Sequence, residues 1–248
     1  MAWAKVKLAL LVGAILIIVS GTAVVAVNEV CNPIRDKTIW TAKSLYSVPP
    51  LVVVRPTKLE TTEYFVCEER GLGTRYRGRK LPITFALATA YDFSPYRIVF
   101  SEAPLTGSFD FLATVTNAQQ ALRTEIHHQL NLVGQSEMRT TNCLILQVNQ
   151  RNAPGLKPPK KHSNTLVLED EAVLSSHSFE KLANVLESIL EQPVIDRTKT
   201  QEKFDITFKW SAQDKSLESM NRALRDQLGL ELVPSREPIK MLVVKIAR

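Results

Sequence analysis

Displaced against itself by 98 positions, the chain meets its own pattern. His128-Gln129-Leu130-Asn131-Leu132 falls on Asp226-Gln227-Leu228-Gly229-Leu230, and Cys143-Leu144-Ile145-Leu146-Gln147-Val148 falls on Met241-Leu242-Val243-Val244-Lys245-Ile246 without a gap. Upstream, Phe109-Asp110-Phe111 corresponds to Phe204-Asp205-Ile206 after a three-residue adjustment. Identity is low while the apolar pattern is shared, so whatever fold the sequence adopts is built from two related halves.

Each half can be read from local physics. In the second, Ser178 caps a helix whose apolar positions Phe179, Leu182, Ala183, Leu186, Ile189 and Leu190 recur at helical spacing, and Pro193 ends it. Val194-Ile195 is a short strand, and Phe204, Ile206, Phe208 and Trp210 alternate with polar residues as a strand with one buried face. Ser216 caps a further helix that buries Leu217, Met220, Leu224 and Leu228 and stops at Gly229. Two closing strands, Leu230 to Val233 and Ile239 to Ile246, are joined through Pro234 and Pro238. The first half reads alike: a helix opens at Pro82 and closes at Pro95, Phe109, Phe111, Ala113 and Val115 alternate, and Leu122, Ile126 and Leu130 stripe a second helix. Asn131 stands where Gly229 stands, and it is the other residue that adopts a left-handed cap cheaply.

The expected fold class is α+β: an N-terminal transmembrane helix, then a duplicated α-β-β-α-β-β unit with antiparallel sheets. Its segments are an anchor over 1–30, an extension with strands over 31–80, a first repeat over 81–153, and a linker with the second repeat over 154–248. The extension holds a strand at Leu51-Val52-Val53-Val54 and a hairpin between Tyr64-Phe65-Val66 and Arg75-Tyr76-Arg77. The stretch Pro154 to His162 is the linker.

The anchor rests on Leu8 to Val27, which contains no charged residue and, as a helix rising 1.5 Å per residue, reaches across roughly 30 Å of hydrocarbon. Leu8, Leu11, Ile15, Ile18 and Val24 are its anchor residues. A cleaved signal peptide competes, since Lys5 and Lys7 precede the run and Val24-Val25-Ala26 resembles a cleavage site, but its apolar region is normally about 7 to 15 residues. The retained anchor is preferred, and the inner membrane is the expected location. The body is placed outside the cytoplasm, because long downstream domains cross largely regardless of charge. The three cysteines allow at most one bridge, Cys31 with Cys67, and Cys143 sits in an apolar run as a core residue.

Several segments also look familiar: Pro50-Leu51-Val52-Val53-Val54-Arg55-Pro56-Thr57, Ala90-Tyr91-Asp92-Phe93-Ser94-Pro95-Tyr96-Arg97-Ile98, Gly155-Leu156-Lys157-Pro158, Pro193-Val194-Ile195-Asp196-Arg197-Thr198 and Gln227-Leu228-Gly229-Leu230. Their order and spacing over about residues 48 to 248 resemble the "soil-associated" family of exported bacterial proteins. A departure is Ala103-Pro104-Leu105, where the family more often carries Gly-Pro-x-Trp. That family is a domain of unknown function without assigned catalytic residues, so the resemblance implies export and a binding-type or accessory role.

Catalytic and metal chemistries find little purchase. His127 and His128 are neighbours on a helix and point about 100° apart, whereas a chelating pair sits four residues apart. Gly71, Gly73 and Gly78 fit neither dinucleotide nor P-loop spacing, and no G-x-S-x-G or S-x-x-K occurs. Asp110 and Asp205 occupy equivalent places, which marks a repeated structural role such as accepting backbone hydrogen bonds beside a strand end. No cofactor or metal is expected, and no small-molecule substrate is identified. One surface feature stands out: Arg70, Arg75, Arg77, Arg79 and Lys80, with Arg75, Arg77 and Arg79 on one strand face. It could grip anionic lipid, an acidic protein or, least favoured, nucleic acid, or it could be a charged edge strand that resists aggregation. The expected function is a membrane-anchored interaction module or accessory subunit of a membrane complex, with the bilayer and other envelope proteins as partners. An envelope hydrolase and a basic-surface binder are the alternatives.

Overall fold

The computed structural model describes residues 16–19, 22–25, 39–58, 62–70, 73–150, 155–159 and 162–247. The fold is α+β, with mostly antiparallel sheets. The first departure from expectation is at the N-terminus. Strands β1 (Leu16–Val19) and β2 (Thr22–Val25) pair antiparallel from Leu16↔Val25 to Val19↔Thr22, in place of a spanning helix. The physical reason is composition: Ile17, Ile18, Val19, Thr22, Val24 and Val25 are β-branched and favour a pleated chain, and Ser20-Gly21 between them is turn-forming sequence. Of the expected anchor residues, Ile18 and Val24 lie on these strands, while Leu8, Leu11 and Ile15 fall outside the described residues. No helix among the described residues is long and apolar enough to cross a membrane.

The remaining chain forms two compact units: the described residues up to Gln135 together with Val243 onward, and Ser136–Leu242. In the first, β3 (Val52–Pro56), β4 (Tyr64–Arg70), β5 (Gly73–Leu81) and β7 (Phe109–Ala113) form an antiparallel sheet ordered β3-β7-β5-β4. Helices α1 (Ile83–Tyr91) and α2 (Ala118–Leu130) pack on each other and on this sheet. Helix α2 buries Leu122 and Ile126, four residues apart on one face, and ends at Asn131, whose φ of +54° makes the left-handed cap and whose N–H bonds His127 O at 2.9 Å. A short strand, β6 (Ile98–Phe100), leads into Ser101, whose N–H bonds Val244 O at 2.9 Å.

The second unit repeats the order. Strands β9 (Leu156–Lys157), β10 (Asn164–Val167), β11 (Glu171–His177) and β13 (Phe204–Lys209) form a sheet ordered β10-β11-β13-β9. Helices α3 (Phe179–Leu190) and α4 (Leu217–Leu228) pack against it. Helix α4 is defined at both ends by its sequence: Ser216 Oγ accepts from Ser219 N–H at 3.3 Å, and Gly229 takes φ +63°. The core gathers Leu146, Leu174, Leu182, Leu186, Ile206, Phe208, Leu224 and Leu228, each nearly or fully buried. Burying each such side chain stabilises the fold by about 1.5–3 kcal/mol before entropy is subtracted.

Two further departures concern the closing strands. Each half ends in one 17-residue strand, β8 (Leu132–Val148) and β14 (Leu230–Ile246), rather than two. Pro234 and Pro238 sit at exposed positions of β14, where proline is tolerated, so they do not divide it. The sheets are also not wholly antiparallel, because β12 (Val194–Asp196) runs parallel to β8 with Val194 opposite Leu144.

Candidate functional site

The basic stripe on β5 was the sequence's one surface candidate, and its surroundings decide what it can do. Register places Tyr64, Val66 and Glu68 of β4 directly opposite Arg79, Arg77 and Arg75. Alternation puts all six on one face of the sheet. That face is covered by residues 39–48, whose Trp40, Leu45 and Val48 pack with Leu112. Arg75 Nη1 donates to Leu45 O at 3.0 Å and its guanidinium lies 4.2 Å from the Tyr46 ring centre. Glu68, its cross-strand neighbour, accepts from Ser44 Oγ at 2.8 Å and from Leu45 N–H at 2.9 Å. An acid therefore holds the N-terminal end of the 3-10 turn Leu45–Ser47, and Arg75 Nη1 also reaches Val48 O at 3.5 Å, just past its C-terminal end, the arrangement that its dipole favours.

Arg77 is 4% exposed and donates from Nη1 to Ala42 O at 2.8 Å. Tyr64 lies beside both remaining guanidinium groups, 5.6 Å from Arg77 and 4.9 Å from Arg79. The Nε atoms of Arg77 and Arg79 are buried without a hydrogen-bond partner among the described residues, so the Tyr64 ring supplies part of their electrostatic compensation. Arg70 closes β4 opposite Gly73, and exposed Lys80 takes φ +53° beside the strand end. Three of the five basic residues thus bind the chain's own carbonyls and rings.

The repeated aspartates mark a repeated bulge. The β5–β7 register shifts between Gly78 and Leu81, and the β11–β13 register shifts between Leu174 and His177. Each irregularity contains a residue with positive φ, Lys80 at +53° and Ser176 at +58°. Lys80 N–H bonds Asp110 Oδ1 at 3.0 Å, and Ser176 N–H bonds Asp205 Oδ1 at 2.9 Å. Asp110 is fully buried and also accepts from Thr57 Oγ1 at 3.1 Å, with Arg55 Nε 3.8 Å away. These carboxylates hold strand irregularities and line neither of the following two grooves.

Two grooves lie among the described residues. One is open and lined by Thr74, Tyr76, Thr116, Asn117, Gln120 and Arg123, and another by Leu156, Lys157, Pro158, Glu202 and Phe204. Arg123 Nε donates to Ala90 O at 2.7 Å, and burial, followed by the charge of Cys67, pushes the Tyr76 phenol above its ordinary value. His127 and His128 are exposed in the last turn of α2, and no group of three metal-binding side chains occurs among the described residues. Cys67 is an exposed free thiol on β4, while Cys143 is buried. Desolvation, then Glu69, pushes the Cys67 thiol up, away from nucleophilic reactivity at neutral pH.

What the sequence did not reveal is the edge strand β10. Leu166, Val167 and Leu168 are 47%, 42% and 48% exposed, a contiguous apolar run that closes an outer strand and continues one residue past it. The available signal was Asn164-Thr165-Leu166-Val167-Leu168 itself, free of charge and of proline, lying between the linker and Glu169-Asp170-Glu171.

Residues 85–247 match the model of a family described as a protein of unknown function (DUF3738). The chain belongs to the DUF3738 family. That assignment agrees with the sequence resemblance at the level of a domain of unknown function, and the narrower "soil-associated" name is not part of it. No curated protein and no solved structure matches the chain.

Proposed function

We propose that this DUF3738 chain is an interaction module, acting by binding another protein surface rather than by turning over a substrate. The observation that carries the proposal is the apolar run Leu166, Val167 and Leu168, exposed at the edge of a sheet among the described residues. Exposed strand edges of this kind offer unpaired backbone groups and are ordinarily blunted by charge, proline or a covering element. The resemblance to exported proteins adds that the module works outside the cytoplasm. Binding of anionic lipid or nucleic acid through Arg75, Arg77 and Arg79 draws no support from their contacts, because reaching the phosphates would mean stripping residues 39–48 from the sheet. The test is paired: the purified chain and a Leu166→Glu variant of equal thermal stability are compared for partner binding and for turnover of ester, peptide and glycoside panels. Loss of binding in the variant with no turnover in either chain is expected. Turnover abolished by a single side-chain change in either groove overturns the proposal.

A further inference from the structure

Among the described residues, strand β10 pairs with β11 on one side only. Leu168 N–H bonds Glu171 O at 2.7 Å, which fixes the phase of the ladder: Leu168, Leu166 and Asn164 bond to β11, and the alternate residues Val167 and Thr165 turn their N–H and C=O groups to the free side. The sister edge, β4, carries Glu68, Glu69 and Arg70, whereas β10 has no charge along its length. Its charges stand at its two ends and differ in sign. In sequence Lys160-Lys161-His162 precedes it and Glu169-Asp170-Glu171 follows it.

We infer that β10 pairs antiparallel with β10 of a second copy of this chain, about a two-fold axis that sets Leu166 opposite Leu166, making the two four-stranded sheets continuous. The inference rests on the interaction reading and names its partner. Three features select a second copy over another protein. In this register Thr165 of one copy lies opposite Val167 of the other, so the outward backbone groups satisfy each other in both directions. His162 meets Asp170 and Ser163 meets Glu169, so the basic and acidic ends complement only when the strand pairs with itself reversed. The apolar side chains of Leu166, Val167 and Leu168 are withdrawn from water in the same step.

Register makes the inference testable at single positions. Residues opposite each other at a non-hydrogen-bonded site of an antiparallel pair bring their Cβ atoms within about 4.5–5.5 Å, near the range a disulfide spans. The full chain with Cys31, Cys67 and Cys143 replaced by Ser is prepared with either Leu166→Cys or Leu168→Cys and oxidised with oxidised glutathione. Leu166→Cys is expected to form the covalent dimer at least tenfold faster than Leu168→Cys, whose two sulfurs lie several residues apart along the ladder. Val167→Pro removes an outward donor without touching the β11 ladder, and it is expected to weaken the wild-type dimer on the order of thirtyfold by sedimentation equilibrium at unchanged melting temperature. Asp170→His and His162→Asp each weaken it, and the double exchange restores it. Equal cross-linking at the two positions, or a dimer indifferent to Val167→Pro, overturns the self-pairing. A chain that stays monomeric while Val167→Pro abolishes binding of another protein also overturns it, yet leaves the interaction reading intact. A monomer whose binding ignores Val167→Pro removes both.

Discussion

The two bulge aspartates offer a controlled comparison, because the same structural position is occupied in two environments. Replacing Asp110 by Ala removes a fully buried carboxylate that Lys80 N–H, Thr57 Oγ1 and Lys58 N–H share, and leaves Arg55 without its acidic neighbour at 3.8 Å. Removing one partner of a buried charged cluster costs about 3–5 kcal/mol, since the donors left behind were desolvated on its account. Lys80 adds to that figure, because its left-handed conformation is held by the lost bond. Asp205 is half-buried, and the bond to Ser176 N–H at 2.9 Å is the contact that its removal must break at the bulge. One hydrogen bond to a charged group is worth about 1.5–3 kcal/mol, and water reaches the site to replace part of it.

The assay uses tryptophans that the fold has already placed. Trp40 is buried against the face that carries Arg55, 5.0 Å from its guanidinium, and Trp210 is buried in the core that holds Phe208. In a chain with Trp3 and Trp210 changed to Phe, urea unfolding followed by Trp40 emission reports the Asp110→Ala effect. With a denaturant slope of about 2 kcal/mol per molar, a loss of about 4 kcal/mol moves the midpoint by about 2 M. The matching chain that keeps only Trp210 is expected to move by less than about 1 M on Asp205→Ala. Equal shifts, or a larger one at Asp205, would refute the reasoning that burial, rather than the bulge itself, sets the cost.

Gly78→Ala is expected to destabilise by more than about 2 kcal/mol, because an added Cβ would stand 2.1 Å from Phe111 Cε1; a melting temperature within a degree of wild type contradicts this. Arg77→Met leaves the Ala42 carbonyl without its donor at 2.8 Å and is expected to cost about 1–3 kcal/mol by urea titration. Arg77→Lys should recover only part of that, since a lysine lacks the plane that lies beside Tyr64. For Cys67, whose thiol is raised, peptide-resolved alkylation is expected to stay slow at pH 7 and to rise only as pH passes the usual thiol value of about 8.5, with Glu69→Gln moving the profile to lower pH. Half-maximal alkylation below pH 8 would contradict the assigned causes.

How far the sequence could be read varies with the range of the forces involved. Ser216 and Gly229 bracket α4 in three dimensions as they do on paper, because caps act within a turn or two of chain. The apolar N-terminal run misled for a related reason. Hydropathy counts residues but not backbone preference, and the β-branched content that favours β1 and β2 leaves its sum unchanged. Alternation correctly set Arg75, Arg77 and Arg79 on one face, but it carried no information about Trp40, Tyr46 and Val48, which arrive from roughly thirty residues upstream to occupy that face. The short strands β9 and β10 gave no periodic signal at all, since four residues or fewer cannot display a period.

That last blind spot matters for function because the repeat makes the two sheets comparable residue by residue. In the first, the face bearing Val66, Arg77 and Leu112 is closed by residues 39–48. In the second, register puts Leu166, Val173 and Thr207 in the same places, and Leu166 and Thr207 are exposed. On the proposed reading the second copy, with Leu166 and Thr207 exposed, is the one that binds, and the first copy is covered by its own chain. The arginines that dominate the sequence's surface chemistry stand on the other copy: Arg77 and Val173 are equivalent, and the charge belongs to the copy whose face residues 39–48 cover. A search for partners should therefore begin with substitutions along Asn164–Leu168, with Arg77 as the control that changes stability and leaves binding alone.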